Sequence, residues 1–490
     1  MERSSGVLMH ISSLPNDYGI GSFGQAAYDF VDFLSDTKQK YWQILPLTTT
    51  SYGDSPYQSF SAYAGNPYFI DLDILQKEGL KGIDFGQDSE SVDYAVIFRS
   101  RQAILEKAVQ RFKNADLSIS YQQFVQENQA WLNPFAEYMA IKETFDLKAW
   151  YEWDEPARKR EANAMARYRL DLAERLDYYR ITQFFFYQQW QALKAYANQK
   201  GIEIIGDMPI YVARDSVEMW TQPELFKVDR EGNPTLVAGT PPDNFSAEGQ
   251  FWGNPIYDWE YHRQQNYAWW IQRFKESFKL YDWVRIDHFR GFESFWQVPL
   301  SAETSAEGEW SKGPGYDLFA AVKEVLGDLN IIAEDLGFMT PEVIAMREAT
   351  GFPGMKILQF GFDEVGDSPD LPHHYPLNSI AYVGTHDNEI AKGWALDSAS
   401  SESLNKLEAY LGHFEGESIA DSLNRGIAMS RSCLAIYRMQ DLLNLDNRSR
   451  MNKPSTLGGN WKWRMTKEQL TEELKSKLIN LTQTYYRENK

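Results

Sequence analysis

Trp283-Val-Arg-Ile-Asp-His-Phe-Arg290 passes from a short, largely apolar segment straight into charged residues. Trp283 to Ile286 has the length and content of a buried parallel strand, and Asp287 stands where that strand ends. The same figure recurs along the chain. Ile202 to Ile205 leads to Asp207 in Gly206-Asp-Met-Pro-Ile-Tyr211, and Asn330 to Ala333 leads to Glu334 in Ala333-Glu-Asp-Leu-Gly337. Ile380 to Val383 leads to Asp387 in Gly384-Thr-His-Asp-Asn388. Further runs at Gly6 to Met9, Tyr41 to Leu45 and Met355 to Phe360 bring the strands to seven, and Leu434 to Met439, less regular, supplies an eighth.

Amphipathic helical patterns lie between these runs. Ala27, Phe30, Val31 and Leu34 share one face, as do Phe186, Trp190, Leu193 and Ala197, the latter followed by Gly201 as a C-terminal stop. Eight alternating units predict a (β/α)8 barrel of the TIM type, one catalytic domain over residues 1–490, with long loops above the carboxyl ends of the strands. The connection spanning about 48–200 is too long for one βα link and predicts a mostly helical insertion. In it Ile104, Leu105, Ala108, Val109 and Phe112 mark one helix, and Asn133 before Pro134 reads as the cap and first turn of another. A second excursion, about 211–281, is rich in Gly, Pro, Asn and Trp and reads as binding loops carried on the scaffold.

The composition, 43% hydrophobic and 24% charged over 490 residues, is that of a chain able to bury a large core. A formal net charge of -20 opposes association with nucleic acid or anionic membrane surfaces, and no basic patch offsets it. A neutral polyol ligand is compatible with that charge. Cys433 is the one cysteine, which excludes an internal disulfide and four-thiolate zinc sites and favours a reducing, cytoplasmic compartment. Neither an export signal nor a bilayer-spanning apolar run is expected.

Carboxylates converging on one barrel mouth repel each other, a cost tolerated where a reaction or a metal uses them. Metal ligation by these acids with His288 and His386 is the competing use, though no His-Glu-x-x-His motif occurs.

The segments Arg285 to Arg290, Ala333 to Gly337 and Gly384 to Asn388 resemble signatures of the α-amylase clan. Ser55-Pro-Tyr-Gln58, Gly65-Asn-Pro67, Gly249-Gln-Phe-Trp-Gly-Asn-Pro255 and Asn460-Trp-Lys-Trp463 narrow the resemblance to glycoside hydrolase family 77, the 4-α-glucanotransferases. The match runs in order from Gly6 to Arg464. It implies Asp287 as nucleophile, Glu334 as acid/base and Asp387 as transition-state stabiliser, with no cofactor and no metal. Asp207, Arg285 and His386 are implied to hold or support the donor sugar, and Tyr57 to pack against it. Tyr52 resembles a remote glucan contact, while Trp252, Asn254 and Phe245 belong to the acceptor side. Residues 239–251 resemble the loop covering the site, with Asn244 where an aromatic partner of Phe245 is expected. Asp335 reads as structural.

The division of labour has a chemical rationale. Retaining transfer needs two carboxyl groups about 5 Å apart, one ionised and one protonated. Arg285, two residues from Asp287 on the same strand face, can hold the nucleophile ionised, whereas neighbouring carboxylates and a dry site raise Glu334. The expected partners are maltooligosaccharides and α-1,4-glucans. The alternatives are an α-1,4-glucan hydrolase using the same residues and a glucan-binding protein without catalysis.

Overall fold

The computed structural model describes residues 2–75, 85, 90–115, 118–242, 248–363 and 366–489, apart from the side chain of Tyr52. Eight strands close on themselves: β1 (Ser4–Leu8), β2 (Tyr41–Gln43), β3 (Glu203–Met208), β6 (Trp283–Ile286), β9 (Ile331–Ala333), β10 (Gly354–Ile357), β11 (Ser379–Tyr382) and β12 (Leu434–Arg438). The order around the barrel is β1-β12-β11-β10-β9-β6-β3-β2, every pairing parallel. Helices surround it, as the alternating patterns predict for a (β/α)8 barrel. The irregular run at Leu434 is the strand that closes the ring. The run from Met355 stops at Ile357, because Phe360 opens a helical turn, Phe360–Asp363.

A second sheet, order β5-β4-β7-β8, stands apart from the barrel: β4 (Leu236–Thr240), β5 (Gln250–Pro255), β7 (Ser294–Pro299) and β8 (Glu309–Lys312). Its strands come from two different connections, β3 to β6 and β6 to β9, and pair antiparallel, Val237 facing Val298. This sheet is missing from the sequence reading. Its strands are short and mixed in polarity, and their ladder joins segments that are distant in the chain.

Residues 94–199 are dominated by three long helices, Tyr94–Asn114, Ile119–Thr144 and Ala173–Gln199. The expectation of a helix start at Asn133-Pro134 is corrected here, since Pro134 lies inside Ile119–Thr144. The cap is Ser118, whose side chain accepts from Tyr121 N at 3.2 Å. Asn133 instead accepts from Arg180 Nε at 2.9 Å. An interior proline costs about 3 kcal/mol. Trp131, Leu132 and Phe135 are buried beside it, at about 1.5–3 kcal/mol each, so packing against Ala173–Gln199 offsets the break.

Helix Ala173–Gln199 also fixes the loop that follows β2. Gln183 exchanges two 2.8 Å hydrogen bonds with the backbone of Gly65. A Cβ at Gly65 would meet the Phe186 ring at 2.3 Å, so only glycine permits that approach. Asn66 then accepts from Tyr68 N at 3.0 Å to cap the turn Pro67–Phe69. The Gly65-Asn-Pro67 motif is thus a clamp holding the Tyr57 loop over the barrel. No helix among the described residues is long and apolar enough to cross a membrane.

Candidate active site

Register places the first cluster. Asp207 on β3 stands beside Arg285 on β6, both directed inward by the pleat. Arg285 Nη1 reaches Asp207 Oδ1 at 2.9 Å and Oδ2 at 2.8 Å, and also reaches Asp287 Oδ1 at 3.2 Å. Tyr57 donates its hydroxyl to Asp207 Oδ2 at 2.9 Å. The Asp207 side chain is fully buried, while Asp287 keeps 29% exposure, so of the two carboxylates Asp287 is the one open to a ligand.

Glu334, just past β9, is tied to the residue following Asp287. His288 sits in the left-handed region with φ 51°, and its backbone N–H donates to Glu334 Oε2 at 2.6 Å. Leu336 N donates to the other oxygen at 3.3 Å. A non-glycine residue adopts that backbone at a cost, here alongside a hydrogen bond that aims the two carboxyl-bearing turns at each other. The His288 ring packs edge-on against Trp252 of β5, with centroids 4.9 Å apart.

The third carboxylate rides a tight turn after β11. Asn388 Oδ1 accepts from Thr385 N at 2.8 Å and from its hydroxyl at 3.0 Å. Arg438 at the end of β12 grips Thr385 O at 2.7 Å and Glu389 O at 2.8 Å. Asp387 then projects with 40% side-chain exposure, its Oδ2 3.4 Å from His386 Nε2. His386 stacks on Tyr57, centroids 5.2 Å apart with planes inclined 17°, and Trp461 leans on both rings.

Asn254 is buried, donating to Val212 O at 2.9 Å and accepting from Gln58 at 3.2 Å, so β5 and the Tyr57 loop are locked together. Phe245, Asn244 and the side chain of Tyr52 lie outside the described residues. Asp335 points away from the cluster, pairing with Arg347 at 2.6 Å and accepting from Met355 N at 2.7 Å.

Two contacts escaped sequence reasoning. Asn452 donates to Asp387 Oδ1 at 2.6 Å, and Arg450 donates to Asp387 O at 2.5 Å. Neither belongs to a recognisable motif. Trp461 lies within Asn460-Trp-Lys-Trp463, but nothing local predicts its tilted contacts with Tyr57 and His386.

The charges separate the carboxyl groups. Burial pushes Asp287 up to about 6 against the pull of Arg285. Burial pushes Glu334 further, to about 8, with Asp287 adding repulsion and Arg285 opposing. The prediction that Arg285 holds Asp287 ionised is thus only partly met, because burial outweighs it. Burial works against the Arg285 charge too, but Asp207 and Asp287 raise it well above its ordinary value. Burial lowers His386, which favours its neutral ring. Near neutral pH the arrangement holds Asp287 mainly as carboxylate and Glu334 mainly as acid.

A closed (β/α)8 barrel with Asp287, Glu334 and Asp387 at the ends of its strands has the parts of an acid/base barrel enzyme, a class that includes the retaining carbohydrate-active enzymes. The comparisons narrow this. The family model for glycoside hydrolase family 77, 4-alpha-glucanotransferase, matches residues 9–471. A 4-alpha-glucanotransferase of Streptococcus pneumoniae is 59% identical over 100% of this chain and 98% of its own length. One from Clostridium butyricum is 47% identical over 98% and 100%. The solved amylomaltase from Streptococcus agalactiae in complex with acarbose superposes with a TM-score of 0.97 at 52% identity, covering 100% of both chains. The chain belongs to glycoside hydrolase family 77, the 4-alpha-glucanotransferase family, and is a glucan-transferring enzyme.

Proposed function

We propose that the chain transfers α-1,4-glucan segments between maltooligosaccharides by a retaining double displacement, with Asp287 as nucleophile, Glu334 as acid/base and Asp387 as stabiliser. The observation that carries this assignment is the juxtaposition of Asp287, 3.2 Å from Arg285, with Glu334, whose Oε2 accepts from the backbone N–H of the residue that follows Asp287; burial raises Glu334 further than Asp287, in keeping with acid and nucleophile. An Asp287 carboxylate oxygen attacks C1 of the donor sugar while Glu334 gives its proton to the departing 4-oxygen. The product is a glycosyl ester on Asp287 and a shortened glucan. Glu334, now ionised, takes the proton from the 4-hydroxyl of an acceptor glucan, which attacks C1 and frees Asp287. One α-1,4 bond breaks and one forms, so no cofactor or energy source enters.

Asp387 and neutral His386 face the sugar ring in this reading. Their hydrogen bonds to ring hydroxyls strengthen as charge develops at C1. Asp207, held by Arg285 and Tyr57, fixes the floor of the donor subsite. Tyr57, stacked on His386, offers an apolar face to the sugar. Trp252, braced by His288, lines the acceptor side with Asn254 behind it, where exclusion of water favours an acceptor hydroxyl. The acarbose-bound amylomaltase supports the substrate class.

The test is incubation with maltotriose, resolving released glucose from lengthened chains over time. A ladder of longer glucans, lost in Glu334→Gln and Asp287→Asn, is expected. Glucose and maltose without longer chains would mean that water intercepts the ester, which is the hydrolase alternative. Full turnover in Asp287→Asn would move the chemistry elsewhere.

A further inference from the structure

A second cluster lies in the connection between β10 and β11, whereas Asp387 follows β11. In the turn Pro372–His374, His373 and His374 place their rings with centroids 4.0 Å apart. Both direct Nε2 at one oxygen: Asp367 Oδ1 lies 3.0 Å from His373 Nε2 and 2.7 Å from His374 Nε2. All three candidate ligand atoms fall within 4.8 Å of one another, the only such group of three among the described residues.

The outer contacts sharpen this. His373 Nδ1 lies 2.8 Å from the hydroxyl of Tyr410, near the end of helix Ser401–Leu411. A hydrogen bond at Nδ1 fixes which nitrogen is left to ligate and how the ring is turned, the arrangement found behind metal-bound imidazoles. Two nitrogens and an oxygen bound at about 2.1 Å by one tetrahedral ion lie about 3.4 Å apart. The present spacings reach that with small rotations of exposed side chains. Two imidazoles and one carboxylate suit a divalent first-row transition ion, with water completing its shell, and not calcium or magnesium, which prefer all-oxygen sets.

We propose that Asp367, His373 and His374 form a binding site for one divalent transition-metal ion, oriented by Tyr410 and separate from the glucan site. The bound ion ties the segment before β11 to helix Ser401–Leu411. An ion that binds the folded chain alone raises its melting temperature by mass action.

The experiment titrates ZnCl2 into the chelator-treated full chain, without a histidine tag, by calorimetry and by thermal melting. One equivalent is expected to bind and to raise Tm. Asp367→Ala and His374→Ala should each weaken binding at least about tenfold and abolish the Tm rise. Tyr410→Phe should weaken binding by about tenfold, the scale of losing an outer-shell partner. His413→Ala should change nothing. These variants keep wild-type maltotriose transfer and metal-free Tm, which separates loss of the ion from loss of fold. The proposal is overturned by absence of stoichiometric binding, by binding that persists in Asp367→Ala or His374→Ala, or by binding lost in His413→Ala. Unchanged affinity in Tyr410→Phe overturns it as well, because two solvated rings without orientation are not a built site.

Discussion

The side-chain amide of Asn452 donates to Asp387 Oδ1 at 2.6 Å, joining a loop beyond β12 to the turn after β11. Asn452 N also donates to His386 O at 3.0 Å, so the loop grips this turn twice. A hydrogen bond to a charged group contributes about 1.5–3 kcal/mol. Asn452→Ala should therefore lower kcat for maltotriose disproportionation by about tenfold or more, with a smaller change in KM, because it frees Asp387 to turn. Steady-state kinetics decide it, and wild-type kcat would show that Asp387 needs no such support.

The rate should follow a bell in pH. Activity rises as Asp287 ionises near pH 6 and falls as Glu334 loses its proton near pH 8. The two groups interact, so the limbs report apparent values of the pair. Glu334→Gln should erase the upper limb along with most of the rate. An unchanged upper limb on its residual activity would assign that titration to another group.

The same burial sets a stability cost. The folded chain raises Asp287 above its ordinary value to about 6, so it favours the protonated carboxyl. That stabilisation is complete below the ordinary value and is lost as pH rises through about 6. Above pH 7 the ionised group destabilises the fold by about 1–3 kcal/mol, the upper end discounted for its partial exposure. Asp287→Asn should consequently melt at a higher temperature than wild type at pH 7.5, with the gain shrinking toward pH 4. Melting curves at both pH values check the sign, and a lower Tm at pH 7.5 would contradict it.

Asp335 separates structure from chemistry next to Glu334. Its bond from Met355 N is buried and its ion pair with Arg347 is partly so. Asp335→Ala leaves that amide without a partner and Arg347 with only the distant Glu348 at 4.0 Å, and should destabilise the fold by about 1–3 kcal/mol. The folded fraction should keep a kcat far above that of Glu334→Gln. Denaturant unfolding with active-site-normalised kinetics distinguishes the two roles.

Helix Ile119–Thr144 and the sheet β5-β4-β7-β8 show where local reading stops. Asn133-Pro134 carries a valid start signal, yet Trp131, Leu132 and Phe135 bury against Ala173–Gln199, and that packing overrides it. The sheet pairs Val237 with Val298, and no period in either segment encodes the other. The catalytic candidates were more legible. Each of Asp207, Asp287, Glu334 and Asp387 follows a compact apolar run, a signal that needs only neighbours in the chain.

From the sequence alone came the eight barrel strands, the carboxylates at their ends and the ordered motifs of the family, because short apolar runs and their terminating residues are local properties. Tertiary structure alone decided that Arg285 is shared between Asp207 and Asp287, that Asn452 and Arg450 hold Asp387, and that His288 adopts φ 51° to bind Glu334. It also decided the protonation of the site. Burial and the spacing of charges raise Asp287 and Glu334 by different amounts, and both arise only when distant segments are brought together and water is removed from between them.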